Sequence, residues 1–421
     1  MHILSRRRTT PVARYSGVQT FTLAAAWLAA VNARAPLLAI GPLLPLVIGD
    51  LRMSFTVAGL LSGLPLLLMG AFGLPGGWLT DRFGARLMMV WCLAGVTLGG
   101  LARAFAPDER WLLVGTVLLG VSIGALQPAL PRTARDTLPH RTPLASAIYF
   151  NGLVVGGAAG LALTPLLVGV LGGWRGVLLA WALVGAIATL GWVAVRPARQ
   201  RESRPGSPGL ADIVQAVCLP GMVALSLAMG TQSAIFYTFS SWAPTYLVAR
   251  GWSLASATFP VAMLPVTSIV ASAFATPLEA ALGRRALIAA SGVVVAGGVA
   301  LFLLWPDQMV WLCAIAIGVG TTCAFSVCMA APATLASAQR VGITAGVLLA
   351  VGYAESAIGP VAIGSLRDAL GSYEAGWLVV LALSVLLAVA ALGIPGRAAH
   401  RRAPDQVQRT FDGRVLYDRR E

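Results

Sequence analysis

The sequence predicts an all-α membrane protein with twelve transmembrane helices in two pseudo-symmetric six-helix bundles. Apolar residues make up 57% of the 421 residues and charged residues only 11%, against about 45–50% and about 25% in soluble domains. Because a spanning helix needs about 20 apolar residues, this content is enough for about twelve spans. A formal charge of +14 would suggest nucleic-acid binding in a soluble protein, but its distribution decides between that reading and membrane orientation.

The apolar runs define the spans. The first follows an arginine-containing arm and has no small-residue cleavage site, so it is predicted to be a retained span and not a signal peptide. The predicted spans are 18–48, 55–78, 87–106, 111–134, 144–171, 175–195, 213–249, 255–277, 287–305, 309–336, 342–370 and 376–395. They predict an N-terminal arm (1–17), a bundle (18–195), a flexible Pro- and Arg-containing linker (196–212), a second bundle (213–395) and a basic tail (396–421).

The arginines indicate the orientation. All 30 basic residues are arginine. With the N-terminus in the cytoplasm, 23 of them fall in cytoplasmic loops and both tails. Six fall in outward loops and helix ends, namely Arg52, Arg103, Arg110, Arg175, Arg250 and Arg367. This asymmetry follows the positive-inside rule, so we expect a bacterial inner-membrane protein with both termini cytoplasmic and no nucleic-acid partner.

Cofactor chemistry is not indicated. The five cysteines lie in apolar runs without a CxxC spacing, and the three histidines lie in polar segments. Without a Walker A motif, direct ATP hydrolysis is not expected, and an intramembrane enzyme is not indicated because no span carries a histidine or a paired acidic motif. The sequence therefore predicts neither an enzyme nor a metal or cofactor site.

The two halves resemble each other at a fixed offset. Adding 199 carries Pro45 to Pro244, Ser54 to Ser253, Leu79 to Leu278, Gly84 to Gly283 and Arg86 to Arg285. Farther along, an offset of 195 carries Pro165, Gly169 and Leu171 to Pro360, Gly364 and Leu366. The order of these identities indicates a duplicated six-helix unit, as in transporters whose two bundles rock about a central site.

The loop between the second and third spans carries the most specific motif. It reads Gly77-Trp-Leu79-Thr-Asp81-Arg82-Phe-Gly84-Ala-Arg86 and resembles the G-x-L-x-D-R-x-G-x-R signature of the major facilitator superfamily. Glycine permits a tight turn, and a carboxylate at a helix end can meet an arginine or a helix N-terminus. The resemblance implies the major facilitator fold and a conformational latch at Gly77, Asp81, Arg82, Gly84 and Arg86. The second-half copy has Ala280 where the aspartate is expected, which predicts a weaker latch there.

Four segments resemble the cyanate permease branch, which includes proteins linked to cyanate and 2-nitroimidazole. They are Asn32-Ala-Arg34-Ala-Pro36 with Gly41-Pro42, Leu130-Pro131 with Arg135, Gly230-Thr-Gln232 with Trp242-Ala-Pro244, and Gly352-Tyr353 with Gly359-Pro360 and Asp368. The resemblance implies a small-solute carrier that works by alternating access. Glu355 departs from it, since uncharged residues are expected in that stretch.

Two charges lie inside predicted spans. A charge at a helix centre costs about 2.5–3.5 kcal/mol on insertion scales, so such residues are expected to face the bundle interior and to act. Arg34 has a planar fork suited to bidentate binding of a small anion, or it forms a structural ion pair. Glu355 has three alternatives: a proton carrier, an ion pair with Arg34 that an arriving anion must break, or a structural role.

Several uncharged side chains are candidate substrate contacts, because the resemblance places spans 1, 4, 7 and 10 around the cavity and spans 2, 5, 8 and 11 beside them. They are Asn32, Gln127, Tyr149, Asn151, Gln232, Tyr237 and Tyr353. Any one of them can equally join two helices, and Trp242 is expected to pack near a helix end. Glycine pairs four residues apart predict close helix packing within one chain and hence a monomer, with dimerisation as the alternative.

The sequence thus predicts a secondary active transporter of a small anionic or polar solute, cyanate-like or nitroimidazole-like, with protons as a candidate coupling ion. The first alternative is a proton-driven multidrug efflux carrier, against which the cationic Arg34 argues. The alternative of another class is a non-transporting membrane sensor.

Overall fold

The computed structural model describes residues 17–138, 141–195, 210–337 and 340–395. The predicted arm lies outside these ranges except for Gly17, as do the tail and most of the linker. Twelve helical segments of the described chain are long and apolar enough to cross a membrane. This confirms the predicted fold class, and the segments are called spans 1–12.

Six spans form the N-terminal half. Span 1 comprises Gly17–Leu38 and Ile40–Leu51, span 2 is Phe55–Phe83, span 3 is Ala85–Ala104, span 4 comprises Glu109–Leu126 and Ala129–Thr137, span 5 comprises Thr142–Ala162 and Thr164–Val170, and span 6 is Trp174–Ala194.

Six more form the C-terminal half. Span 7 is Met222–Ala249, span 8 is Leu254–Leu282, span 9 is Arg284–Leu304, span 10 comprises Pro306–Ala330 and Pro332–Leu335, span 11 comprises Val341–Ser356 and Ile358–Leu370, and span 12 is Glu374–Ala390 with the short 3₁₀ turn Ala391–Gly393. A short helix, Leu210–Val217, precedes them.

Span 7 differs from its prediction. The predicted run 213–249 is divided, because Leu210–Val217 ends before span 7 begins at Met222. Gly221 between them has a φ of +79°, a conformation that glycine adopts at little cost and that stops the helix. Hydropathy alone did not detect this break, since the residues around it are apolar.

The internal repeat is visible in the helix ends. Ser54 and Ser253 both cap a long helix in extended conformation, and their hydroxyls accept the backbone N–H of Val57 and Ser256. Gly84 and Gly283 end the same two helices with φ of +84° and +88°. The offset of 199 therefore relates equivalent structural positions.

The halves meet along three helix pairs: span 2 with span 11, span 1 with span 7, and span 5 with span 8. Two glycines allow the backbones to approach closely. A Cβ on Gly59 would lie 2.6 Å from the carbonyl oxygen of Pro360, and one on Gly41 would lie 2.3 Å from that of Ser240. These contacts hold span 2 against span 11 and span 1 against span 7 where the halves meet.

Candidate functional site

Arg34 joins the two halves at the centre of the molecule. It lies one turn before the break in span 1, where Ala39 separates two helices. Its Nη2 donates a hydrogen bond to the Tyr353 hydroxyl of span 11 at 3.3 Å, and its guanidinium carbon lies 5.8 Å from the ring centroid of Tyr237 in span 7. Three predicted residues are thus brought together from three spans.

Arg34 has no ionic partner among the described residues. The ion pairs found in the described parts of the chain, defined by N···O separations up to 4.0 Å, do not include it. Its partners are therefore a hydroxyl and an aromatic ring, neither of which neutralises its charge. Such a guanidinium keeps its capacity to bind an anion in bidentate fashion.

Glu355 lies in the last turn of the first helix of span 11 and is half-buried. Its Oε2 is buried and has no hydrogen-bond partner among the described residues. The carboxylate packs against Gly230 of span 7, where an added Cβ would lie 1.9 Å from Oε2. Glu355 therefore does not form the predicted alternative of an ion pair with Arg34 in this conformation, and its carboxylate occupies space that only glycine leaves free.

Two predicted contacts point into helix interfaces. Gln232 is buried and donates from Nε2 to the carbonyl oxygen of Met229 and to the hydroxyl of Ser233, both in its own span. Asn32 is fully buried inside the N-terminal half, and its amide lies where a Cβ on Gly185 of span 6 would be. Neither amide is directed at Arg34 in this conformation.

Three predicted contacts lie on spans 4 and 5. Asn151 is exposed and accepts a hydrogen bond from Trp27 Nε1 at 2.9 Å. Tyr149 is buried and stacks on Phe150 with a centroid separation of 4.8 Å. Gln127 is half-buried at the turn between the two helices of span 4. The structure does not bring these three side chains into the Arg34 group.

An aromatic cluster closes one face of the molecule beyond Arg34. This face contains the loops between spans 1 and 2, 7 and 8, and 11 and 12, and we call it the arginine-poor face. Phe55 of the N-terminal half contacts Trp242 and Tyr373 of the C-terminal half, with centroid separations of 6.4 Å and 5.9 Å. The Trp242 indole, which is fully buried, donates to the carbonyl oxygen of Pro360 at 2.8 Å. Trp242 thus has the packing role that the sequence predicted.

Two polar residues at the end of span 11 reinforce this closure. Arg367 lies over the Phe55 and Tyr373 rings, 5.2 Å and 4.6 Å from their centroids. Burial raises the pKa of Tyr373, and Arg367 partly offsets this effect. Asp368 accepts hydrogen bonds from the backbone N–H groups of Phe55 and Thr56 at the start of span 2. The two halves are therefore joined by polar as well as aromatic contacts.

The loop motif lies on the opposite, arginine-rich face. Asp81 at the end of span 2 pairs with Arg132 of span 4. Arg86 donates from Nη2 to the carbonyl oxygen of Val193, at the C-terminal end of span 6, where a cation is favourable. Arg82 lies over the Trp78 and Phe83 rings, and Gly77 faces Pro128. The motif thus joins spans within the N-terminal half.

The second-half copy of the motif also contains an ion pair. Glu279 Oε1 accepts from Arg284 Nε at 3.2 Å, and Arg284 also donates to the Thr334 hydroxyl of span 10 at 3.1 Å. The carboxylate belongs to Glu279, one residue before Ala280. Ala280 itself stands where the motif has an aspartate. Every ion pair among the described residues lies within one half.

The burial of Arg103 was not predicted from the sequence. Arg103 was assigned to the outward loops and helix ends, and it does lie in the last turn of span 3, but its side chain is only 1% exposed. Its Nη1 donates to the carbonyl oxygen of Pro36 at 3.2 Å. In the sequence Arg103 lies four residues before Pro107. This position is equally compatible with a helix end in water, so it did not indicate that the side chain is buried.

Comparison with known proteins decides the family. A profile of the Major Facilitator Superfamily matches residues 22–278, more than half of the chain. The chain belongs to the major facilitator superfamily. The cyanate transport protein CynX of Escherichia coli (strain K12) is 30% identical over 355 residues, which cover 82% of this chain and 90% of CynX.

Two further comparisons support membership. The 2-nitroimidazole transporter of Escherichia coli (strain K12) is 25% identical over 83% of this facilitator and 88% of its own length. The crystal structure of a bacterial homologue of the human lysosomal transporter Spinster, inward-facing and unoccupied, matches with a TM-score of 0.74 at 18% identity, covering 90% of this chain and 97% of that one. The latter shows the shared fold. This facilitator is therefore a multi-pass bacterial inner-membrane transporter and not an enzyme.

Proposed function

We propose that this facilitator is a secondary active transporter of a small anion, with the guanidinium of Arg34 as the anion site. The observation that carries the proposal is a cation between the two halves, within a span, without a carboxylate at ion-pair distance among the described residues. Tyr237 and Tyr353 border it and supply one aromatic face and one hydroxyl. The relatives, named for cyanate and for 2-nitroimidazole, favour a solute of a few atoms.

Alternating access follows from where the halves are joined. Aromatic and carboxylate contacts connect them at the arginine-poor face, whereas the ion pairs seen among the described residues of the arginine-rich face lie within each half. The positive-inside rule places the arginine-rich face and both termini in the cytoplasm. In that orientation the conformation is closed towards the periplasm, and rocking of one half against the other would expose Arg34 to the opposite side. The proposed unit is a monomer.

Protons are the proposed coupling ion, through Glu355. An unpartnered carboxylate in an apolar interface is costly when ionised and much less so when protonated. Proton uptake would therefore accompany the arrangement seen against Gly230, and release would accompany rehydration in another conformation. Glu355 then acts as the proton carrier and Arg34 as the anion site, without a direct bond between them.

Anion flux is tested with purified protein in liposomes. Cyanate-loaded vesicles should exchange labelled cyanate in the wild type, and Arg34→Gln should abolish exchange because the only cationic donor of the site is lost. Arg110→Gln, at an exposed position, is the matched control and should behave as wild type. Exchange that survives Arg34→Gln would overturn the anion site. Export of lipophilic cations without cyanate exchange would point to drug efflux, and saturable binding without flux of either would point to a sensor.

Proton coupling is tested in the same vesicles with an imposed pH gradient. The gradient should drive cyanate accumulation in the wild type. Glu355→Gln should abolish the accumulation and leave cyanate exchange at equal pH intact, because exchange needs no net proton movement. Accumulation by Glu355→Gln equal to that of the wild type would contradict the proton role of Glu355 and leave the Arg34 proposal standing.

A further inference from the structure

Arg103 is the most deeply buried charged side chain of the described residues. It ends span 3, and its side chain passes through the interior of the N-terminal half to span 1. Only 1% of its surface is exposed. Its neighbour in span 4 is Gly115, where a Cβ would lie 2.8 Å from Arg103 Cγ, so the glycine provides the space through which the side chain passes.

The guanidinium of Arg103 is incompletely satisfied. Nη1 donates to the Pro36 carbonyl oxygen, while Nε and Nη2 are buried and have no hydrogen-bond partner among the described residues. It takes part in none of the ion pairs found there. Burying a guanidinium with unsatisfied donors is costly.

The position of the bond connects Arg103 to the anion site. Pro36 lies two residues after Arg34, in the last turn of the helix that ends at Leu38. The carbonyl groups of a last helical turn lack intrahelical partners, and a cation there is favourable. Arg103 therefore fixes the turn of span 1 that directly follows Arg34.

The charge itself also acts at a distance. Pro36 lies two residues after Arg34 in the same helix, which corresponds to about 3 Å along the helix axis. Because the low-dielectric interior screens charge weakly, the positive potential of Arg103 extends to the Arg34 site. That potential favours an anion over a neutral solute of the same size.

We infer that Arg103 is a positioning residue of the anion site: it holds the Pro36 turn of span 1 and adds positive potential at Arg34 without touching the substrate. The inference rests on the proposed function, since it concerns the same site. A transported anion would then be attracted by two cations while contacting only one. The field of Arg103 thus contributes to selecting anions, and Arg34 determines how they are held.

Three substitutions separate charge from position. Arg103→Met removes the charge and the donors, Arg103→Gln removes the charge and keeps a donor, and Arg103→Lys keeps the charge. Cyanate exchange should show a KM raised about tenfold in the Met variant, with a maximal rate close to wild type. The Gln variant should show most of this rise and the Lys variant little of it. Arg110→Met, at an exposed position near the same face, should leave KM unchanged.

The outcomes distinguish the two proposals. If Arg34→Gln leaves cyanate exchange unchanged, the proposed function fails, whatever Arg103 does. If Arg34 is required and Arg103→Met has the KM of the wild type, only the present inference is wrong. A lower maximal rate with unchanged KM in all three variants would assign Arg103 a purely structural role and also overturn it. The inference would also be wrong if the Met and Gln variants fail to fold while Arg103→Lys folds and has the KM of the wild type. In that case the charge would serve folding.

Discussion

The carboxylate of Asp368 accepts hydrogen bonds from the backbone N–H of Thr56 at 2.7 Å and from its hydroxyl at 2.6 Å. These bonds tie the end of span 11 to the first turn of span 2 and so cross from one half to the other. A carboxylate at a helix N-terminus is favoured by the helix dipole and by the free N–H groups of the first turn. This contact is therefore a polar lock of the arginine-poor face.

Asp368→Asn should shift the protein towards the conformation open at the arginine-poor face. Hydrogen bonds to a charged group contribute about 1.5–3 kcal/mol, so loss of the charge should change the equilibrium between conformations by about tenfold or more. The measurement is a spin-label distance between cysteines at the exposed positions Arg52 and Ala369, in a Cys218→Ser background because Cys218 is the exposed native thiol. The long-distance population should increase.

Asp307→Asn is the matched control for Asp368→Asn. Asp307 is likewise a hydrogen-bonded carboxylate at this face, since its Oδ2 accepts from Arg250 Nη2 at 2.7 Å, but both residues belong to the C-terminal half. The Asp307 contact raises the pKa of Arg250. Its loss should leave the distance distribution unchanged. Equal shifts in both variants would show that the lock function does not belong to Asp368.

The sequence predicted those features that depend on neighbours along the chain. The twelve spans follow from apolar runs, and their ends follow from local chemistry, as at Ser54 and Gly84. The equivalence of Ser54 with Ser253 was visible as an offset, because a duplicated helix keeps its cap. Arg34 could be identified as a candidate because a charged residue inside an apolar run is unusual whatever its contacts are.

Features that depend on distant residues were not predictable from the sequence. Nothing local indicates that Asp368 meets Thr56, or that Tyr353 reaches Arg34, since each pair is separated by more than 300 residues. Arg103 lies at a span end, where a sequence pattern cannot distinguish a side chain in solvent from one that turns inward. The direction of a helix face around its axis is set by packing, and this is also why Asn32 faces span 6.

Gly230→Ala should disrupt the Glu355 site. An alanine methyl would lie 1.9 Å from Glu355 Oε2 and 2.5 Å from Glu355 Cβ, so the carboxylate must move and spans 7 and 11 must separate. We expect loss of pH-driven cyanate accumulation and a melting temperature lower by several degrees, since overpacking costs about 1–3 kcal/mol. Gly297→Ala, where a Cβ meets open space, is the control and should affect neither. A Gly230→Ala protein with normal melting and normal accumulation would contradict the described packing of Glu355.

Asp81→Asn should slow transport more than it destabilises the protein. The Asp81–Arg132 pair is partly exposed, with side-chain exposures of 44% and 13%, and such pairs contribute about 0.2–1 kcal/mol. The resemblance to the facilitator signature predicts a latch, which would act on the rate of conformational exchange. We therefore expect a reduced maximal rate of cyanate exchange, a KM close to wild type and a nearly unchanged melting temperature. A reduction in rate no greater than that of Arg250→Gln, which breaks an ion pair inside the C-terminal half, would make Asp81 an ordinary surface residue.

The two serine caps should differ in their effect because their surroundings differ. In span 2, Asp368 already accepts the N–H groups of Phe55 and Thr56, so Ser54 supplies only the bond to Val57. In span 8 the Ser253 hydroxyl accepts the backbone N–H of Ser256, in a helix start formed by Leu254 and Ala255. Loss of an N-cap costs about 1 kcal/mol, and we expect Ser253→Ala to lower the melting temperature more than Ser54→Ala. In the Asp368→Asn background the difference should shrink, because span 2 then depends on Ser54 more strongly. An unchanged difference in that background would show that Asp368 does not share in capping span 2.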